Sequence, residues 1–232
     1  LDRLHQRRAF NSRVTAQIEQ PTLDLSGDTV VEGLGSMEYR DVVVRGEYDH
    51  SQEVVLRNQI WNDQAGVHLL TPLLISGSDQ AVLVDRGWIP LDAYQAGDWS
   101  EFAEPGIIEV RGVIRASQSE PEIGSREDPV PGLGDWYPAW HFANVESIDK
   151  QISLSLLPVY IQQSPDPSWQ TLPYRSEPEL ELTEGPHLGY AIQWFTFATI
   201  LAVGYPFYVR KEIKAEREDK AYTSPQPTRH TA

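Results

Sequence analysis

Cysteine is absent from the 232-residue chain, and methionine occurs once. Without thiols there is no disulfide framework and no thiolate metal site, and the redox compartment stays open. A Gly-rich phosphate loop, a paired-His metal signature and a nucleophile-elbow serine are also missing. The six histidines, His5, His50, His68, His141, His187 and His230, are too scattered for spacing alone to define a multi-His cluster. Positive charge is scarce: 19 Lys and Arg face 34 Asp and Glu, a net charge of −15. The deficit is uneven, since residues 1–14 carry +3 and residues 210–232 carry +2, leaving −20 between them. Such a surface repels polyanions, and nucleic acid is set aside as a partner.

What the chain does have is one long uncharged run. Residues 188–209, LGYAIQWFTFATILAVGYPFYV, contain no Asp, Glu, Lys or Arg. At ~1.5 Å per residue this run crosses a hydrocarbon core of ~30 Å as a helix. Glu177, Glu179, Glu181 and Glu184 precede it, and Arg210, Lys211, Lys214 and Arg217 follow. The basic flank predicts a cytoplasmic tail over 210–232 and a main domain outside the cell membrane. Tyr190, Trp194, Tyr205 and Tyr208 lie toward the two ends, as interfacial aromatics do. Pro186 suits the first helical turn. Only 40% of residues are hydrophobic and the mean hydropathy is negative, so the remainder reads as a water-soluble domain.

The first residue is Leu1, and Arg3, Arg7, Arg8 and Arg13 share a helical pattern with Leu4, Phe10 and Val14. Residues 1–20 are therefore expected to form a basic helix, following a first membrane span that this chain does not include. A basic helix lying on the membrane or on the domain is the alternative. The middle reads as strands: 41–48 and 108–115 alternate cleanly, 54–61, 67–75 and 81–89 do so less cleanly, and 157–162 gives a sixth short strand. Gly112 suggests a bend within the second of these. Ser76-Gly77-Ser78-Asp79 has hairpin chemistry, and 145–154 reads as a helix. Short strands joined by turns predict a mainly β domain over 39–163 with some α-helix, antiparallel and curled like a barrel. Residues 120–135 read as a mobile loop, and 164–187 as a Pro-rich acidic linker to the span.

Candidate functional residues fall into three groups. Asp85-Arg86-Gly87-Trp88 is a compact polar group at a strand end, read either as a structural turn with Arg86 paired to a carboxylate or as a partner contact through Arg86 and Trp88. His68 and His141 lie among apolar neighbours and read as hydrogen-bonded core residues. His187 stands at the outer end of the span, and at 100° per residue it shares a helix face with Tyr190 and Trp194. It is either a plain interfacial histidine or a haem ligand. Gly189, Gln193, Thr196 and Ile200 occupy the opposite face. Lipid offers Gln193 no hydrogen-bond partner, so Gln193 and Thr196 are expected to contact another membrane helix.

Three blocks in order carry a family resemblance: Gly66-Val67-His68-Leu69-Leu70-Thr71-Pro72-Leu73, Leu83-Val84-Asp85-Arg86-Gly87-Trp88-Ile89-Pro90, and the run from Glu184 to Phe195, EGPHLGYAIQWF. With Val110-Arg111-Gly112-Val113-Ile114-Arg115 between the last two, the chain resembles the Surfeit locus protein 1 family of cytochrome c oxidase assembly factors from about Tyr39 to Arg210. Asp85 stands where the family usually has Asn, and 136–144 follow the family only loosely. The resemblance implies two membrane helices flanking one extracytoplasmic domain. It also implies a non-enzymatic role in building the haem-copper oxidase, by helping haem a into the large subunit. His187 matches the position proposed in the family as a haem contact, which would make His187 the iron ligand with Tyr190 and Trp194 beside the porphyrin. A permanent accessory subunit of a respiratory complex, without haem handling, is the alternative.

Overall fold

A computed structural model describes residues 2–27, 31–118, 128–132, 134–178, 180, 182 and 187–223. The side chains of residues 2–4, 187–188 and 215–223 lie outside that description. The chain divides into two units, Leu1–Glu181 and Leu182–Ala232.

The first unit is built on eight strands: β1 (Leu23–Asp24), β2 (Asp41–Tyr48), β3 (Val54–Trp61), β4 (Gln64–Ile75), β5 (Gln80–Pro90), β6 (Ile107–Ala116), β7 (Ala139–Trp140) and β8 (Ser155–Gln163). Five of them close on themselves in the order β2-β6-β8-β5-β4, the ring being completed by Gly46↔Ile75, Glu47↔Leu74 and Tyr48↔Leu73. The expected curled sheet is thus a closed barrel. Four seams are antiparallel, and the β5–β8 seam is parallel. The chain reaches β8 from β5 by a long crossover that includes β6, which permits a parallel seam. β1 and β7 add further parallel pairs, on β2 and β3.

Alternation in β2 and β6 sends Val42, Val44, Val110 and Ile114 into the barrel, against Leu73, Val82, Val84, Val159 and Ile161. β4 and β5 alternate poorly because both their faces are covered. Leu70 and Leu83 turn outward beneath Trp140 and α3 (Val145–Asp149), while Leu69 and Ile89 pack with Phe102 and with Tyr94 of α2 (Leu91–Ala96). Truncating the fully buried Trp140 would cost about 3–5 kcal/mol.

Several expectations need adjusting. Residues 2–18 are helical, as α1 (Asp2–Ile18), with Val14 buried and Phe10 set edge-on to Tyr39. The helix expected over 145–154 stops at Asp149, whose carboxylate accepts from the Leu156 amide as the chain turns into β8. A Cβ at Gly112 would collide with the Gln162 carbonyl, so this glycine permits the close approach of β6 to β8. Of the loop expected at 120–135, residues 120–127 and 133 lie outside the described residues. The linker expected from 164 is docked on the domain over its first part: Trp88 and Tyr174 exchange backbone hydrogen bonds at 2.8 Å, and Gln162 donates to the Ser176 carbonyl.

The second unit is α4 (His187–Thr223), which contains Pro206 and a stretch, Gly189–Lys214, long and apolar enough to cross a membrane. Pro186 lies outside the described residues.

Candidate functional site

The Asp85–Trp88 group sits at a β-bulge. Leu70 pairs with Asp85 and Leu69 with Gly87, so Arg86 is the extra residue of β5 and its side chain leaves the ladder for the interior. Arg86 is fully buried. Its Nη1 donates to Glu53 Oε2 at 2.9 Å and its Nη2 to Glu104 Oε1 at 3.0 Å, with a further short bond to the Phe102 carbonyl. Arg175 reaches Glu104 at 3.1 Å, Thr71 donates to Glu53, and the Arg86 guanidinium lies 4.9 Å from the Tyr48 ring centre. Burial pushes the Glu53 carboxyl up, but hydrogen bonds from His50 and Thr71 and the charge of Arg86 more than offset it, leaving it below its usual value.

Trp88 is 2% exposed and stacks on Tyr174, which stacks in turn on Trp61. Gly87 has φ 115°, and a Cβ there would strike the Tyr174 carbonyl. Arg86 and Trp88 therefore offer no surface to a partner, and the expectation that they contact one is corrected. They form the internal joint that fastens the segment 164–176 to the barrel.

Above this joint opens a cleft of about 710 Å³ lined by β3, β4, β5, β6 and β8 and by residues around His141. Two histidines on its wall are each held by a carboxylate: His68 Nδ1 to Asp85 Oδ2 at 2.9 Å, and His141 Nδ1 to Asp128 Oδ1 at 2.8 Å. A carboxylate oxygen accepts, so each Nδ1 carries a proton and Nε2 is the ring atom left over. Burial pushes the His68 pKa down, but the charge and hydrogen bond of Asp85 outweigh it and the net direction is up. Tyr160, on the same wall, is pushed up to about 12 by burial. Both histidines are hydrogen-bonded, as expected, yet they line a cleft rather than the core. Among the described residues no group of three or more His, Asp or Glu is placed to hold a metal ion.

In the second unit, α4 is helical from His187 onward, so His187, Tyr190 and Trp194 fall on one stripe. Tyr190 and Trp194 are both exposed, and Trp194 meets Phe197 edge-on at 6.3 Å. The His187 side chain lies outside the described residues. On the opposite stripe, Thr196 donates back to the Ile192 carbonyl at 2.8 Å, whereas the exposed Gln193 amide makes no hydrogen bond among the described residues.

The profile of the SURF1 family matches residues 1–199, which take in the barrel, the docked segment and the start of α4. The chain belongs to the SURF1 family. A SURF1-like protein of Caenorhabditis briggsae is 20% identical over 215 residues, covering 84% of this chain and 65% of its own. An uncharacterized SURF1-like protein of Mycobacterium bovis is 25% identical over 189 residues, 81% of this chain and 66% of its own. Surfeit locus protein 1 of Rattus norvegicus is 21% identical over 208 residues, 82% of this chain and 64% of its own. The chain thus spans just under two thirds of the length of these SURF1 relatives. The family match includes His68, Asp85, Arg86 and Trp88 as well as His187, Tyr190, Gln193, Trp194 and Thr196.

Proposed function

We propose that this SURF1-family chain is a membrane-anchored, non-enzymatic assembly factor for a haem-copper cytochrome c oxidase, and that it holds haem a beside His187 while the large subunit is completed. The register of α4 carries the reading: His187, Tyr190 and Trp194 share one stripe at the start of an apolar helix. Two exposed aromatic rings on that stripe offer a flat apolar surface suited to a porphyrin. A neutral imidazole is a competent iron ligand, and a chain without cysteine has no thiolate to compete. Haem a, when bound, supplies the iron that the imidazole would coordinate. His187 would set the ligand, and Tyr190 and Trp194 would orient the ring and exclude water from one side of it.

The Gln193 amide, unbonded among the described residues, supports a partner helix across the opposite stripe, because in hydrocarbon an amide without a partner costs free energy. That partner is a helix of the oxidase large subunit or of another respiratory-complex subunit. Arg210, Lys211 and Lys214 beyond the span favour a cytoplasmic C-terminus, with the barrel on the outer side of the cell membrane.

The test is stoichiometry. Tagged full chain, isolated from a host that makes haem a, is expected to recover immature large subunit in substoichiometric amount and to be absent from mature oxidase. One-to-one retention in mature oxidase would make it a permanent subunit instead.

A further inference from the structure

We propose that the barrel cleft is a binding site for a small molecule that joins a carboxylate to a flat apolar body. The arrangement of charge around the two histidines is the first argument. Asp128 lies off the cleft wall, its oxygens taken by the His141 ring and by the backbone amides of His141 and Phe142 at 2.7 and 2.9 Å. Asp85 is occupied in the same way by His68 and by the Gly87 amide at 3.0 Å. The acids therefore serve the scaffold, and each imidazole is backed by a carboxylate. At His68 the charge and hydrogen bond of Asp85 favour the doubly protonated ring, the form with an Nε2–H donor. No hydrogen bond engages either Nε2 among the described residues.

Arg115 supplies the second argument. It lines the same cleft, with Nη1 held by Gln162 at 2.7 Å and the guanidinium 4.7 Å from the Tyr39 ring centre. Its buried Nε makes no hydrogen bond among the described residues, and the carboxylate ion-paired with it, Glu38, is 3.6 Å away. Two imidazoles and a guanidinium with donors to spare are suited to an oxyanion. Ile60, Trp61 and Phe142 supply apolar wall, and about 710 Å³ is the size of a small-molecule site. A metal ion fits less well, because two imidazoles find no third His, Asp or Glu placed to complete the set among the described residues. The site stands in the barrel unit and does not depend on haem at α4.

The other titratable groups on the cleft wall are Asp85, Arg115, Tyr160 and Glu177. An anion that binds the Nε2–H donors should therefore draw protons onto the rings. The probe is benzoate, with uncharged benzamide as its shape control. Full chain in micelles, with labelled histidine rings assigned through His68→Gln and His141→Gln, is followed by NMR. Benzoate is expected to move the His68 and His141 signals along one saturable curve and to raise both apparent pKa values, leaving His5 unmoved. Benzamide is expected to do neither. Arg115→Gln should weaken benzoate about tenfold or more; should that variant fail to fold, the benzoate–benzamide comparison on the parent chain decides alone. No saturable shift with benzoate, equal shifts with benzamide, or stoichiometric capture of Zn²⁺ by both rings while benzoate is inert would each overturn the proposal.

Discussion

At Arg86 a fully buried guanidinium is balanced by Glu53 and Glu104, and removing it would leave the buried Glu53 without its guanidinium partner, while Glu104 keeps Arg175. Arg86→Met is expected to destabilise the barrel by about 3–5 kcal/mol, read as a lowered denaturation midpoint; an unchanged midpoint would mean the network is not coupled to folding. Glu53 and His68 respond to pH in opposite directions. The Glu53 pKa is depressed in the folded state, so its contribution is present above its ordinary value of 4.5 and is lost as pH falls through the lower folded value. The His68 pKa is raised, so its contribution is full below its ordinary value of 6.5 and is lost as pH rises through the folded value. Thermal melts across this upper window should show a decline that His68→Gln abolishes, and an identical slope in that variant would contradict the assignment. The need for Arg86 to meet an acid was legible, because a charge within an apolar strand must be paired. Which acids it meets was not, since Glu53 and Glu104 come from other parts of the chain. The His68–Asp85 pair left a faint signal. Counting the ladder out from the Ser76–Asp79 turn sets Asp85 opposite Leu70, one diagonal step from His68 on the same face. The His141–Asp128 pair left none, because neither residue lies within a strand or a helix.

Among the elements, β2 and β6 were legible because each has one face in the core and one toward solvent. β4 and β5 were legible as apolar runs but not in their pairing, since strands covered on both faces lose alternation. The parallel β5–β8 seam has no local signature, and β1 and β7 are two residues each, below what a pattern can reveal. The docked segment 164–176 was read as linker because Pro165, Pro167 and Pro173 punctuate it and Glu177, Glu179, Glu181 and Glu184 follow it. Its attachment depends on Gly87, which alone tolerates both φ 115° and the approach of Tyr174. Gly87→Ala is expected to release this segment, seen as faster backbone exchange at Tyr174; unchanged protection would contradict the joint. On α4, Gln193→Leu should weaken association with the partner helix by roughly 0.6–2 kcal/mol in a membrane dimerisation assay, with Tyr190→Leu as the comparison. Equal effects of the two would remove the case for the Gln193 stripe.

At the scale of the whole molecule, a closed barrel of predominantly acidic sequence is tethered to one apolar helix whose far end is basic. The orientation this predicts is open to labelling, because the chain contains no native cysteine. A cysteine at Asp79, in the β4–β5 turn, is expected to react with an impermeant maleimide in intact cells, and one at Lys214 only after lysis; the reverse pattern would invert the topology. The central claim, haem a held at His187, is tested most directly by the absorption spectrum of the full chain purified from a host that makes haem a. A Soret band present in the parent chain and lost in His187→Ala, at equal membrane levels, is the predicted result. An unchanged band in the variant, or no band in the parent, would contradict it.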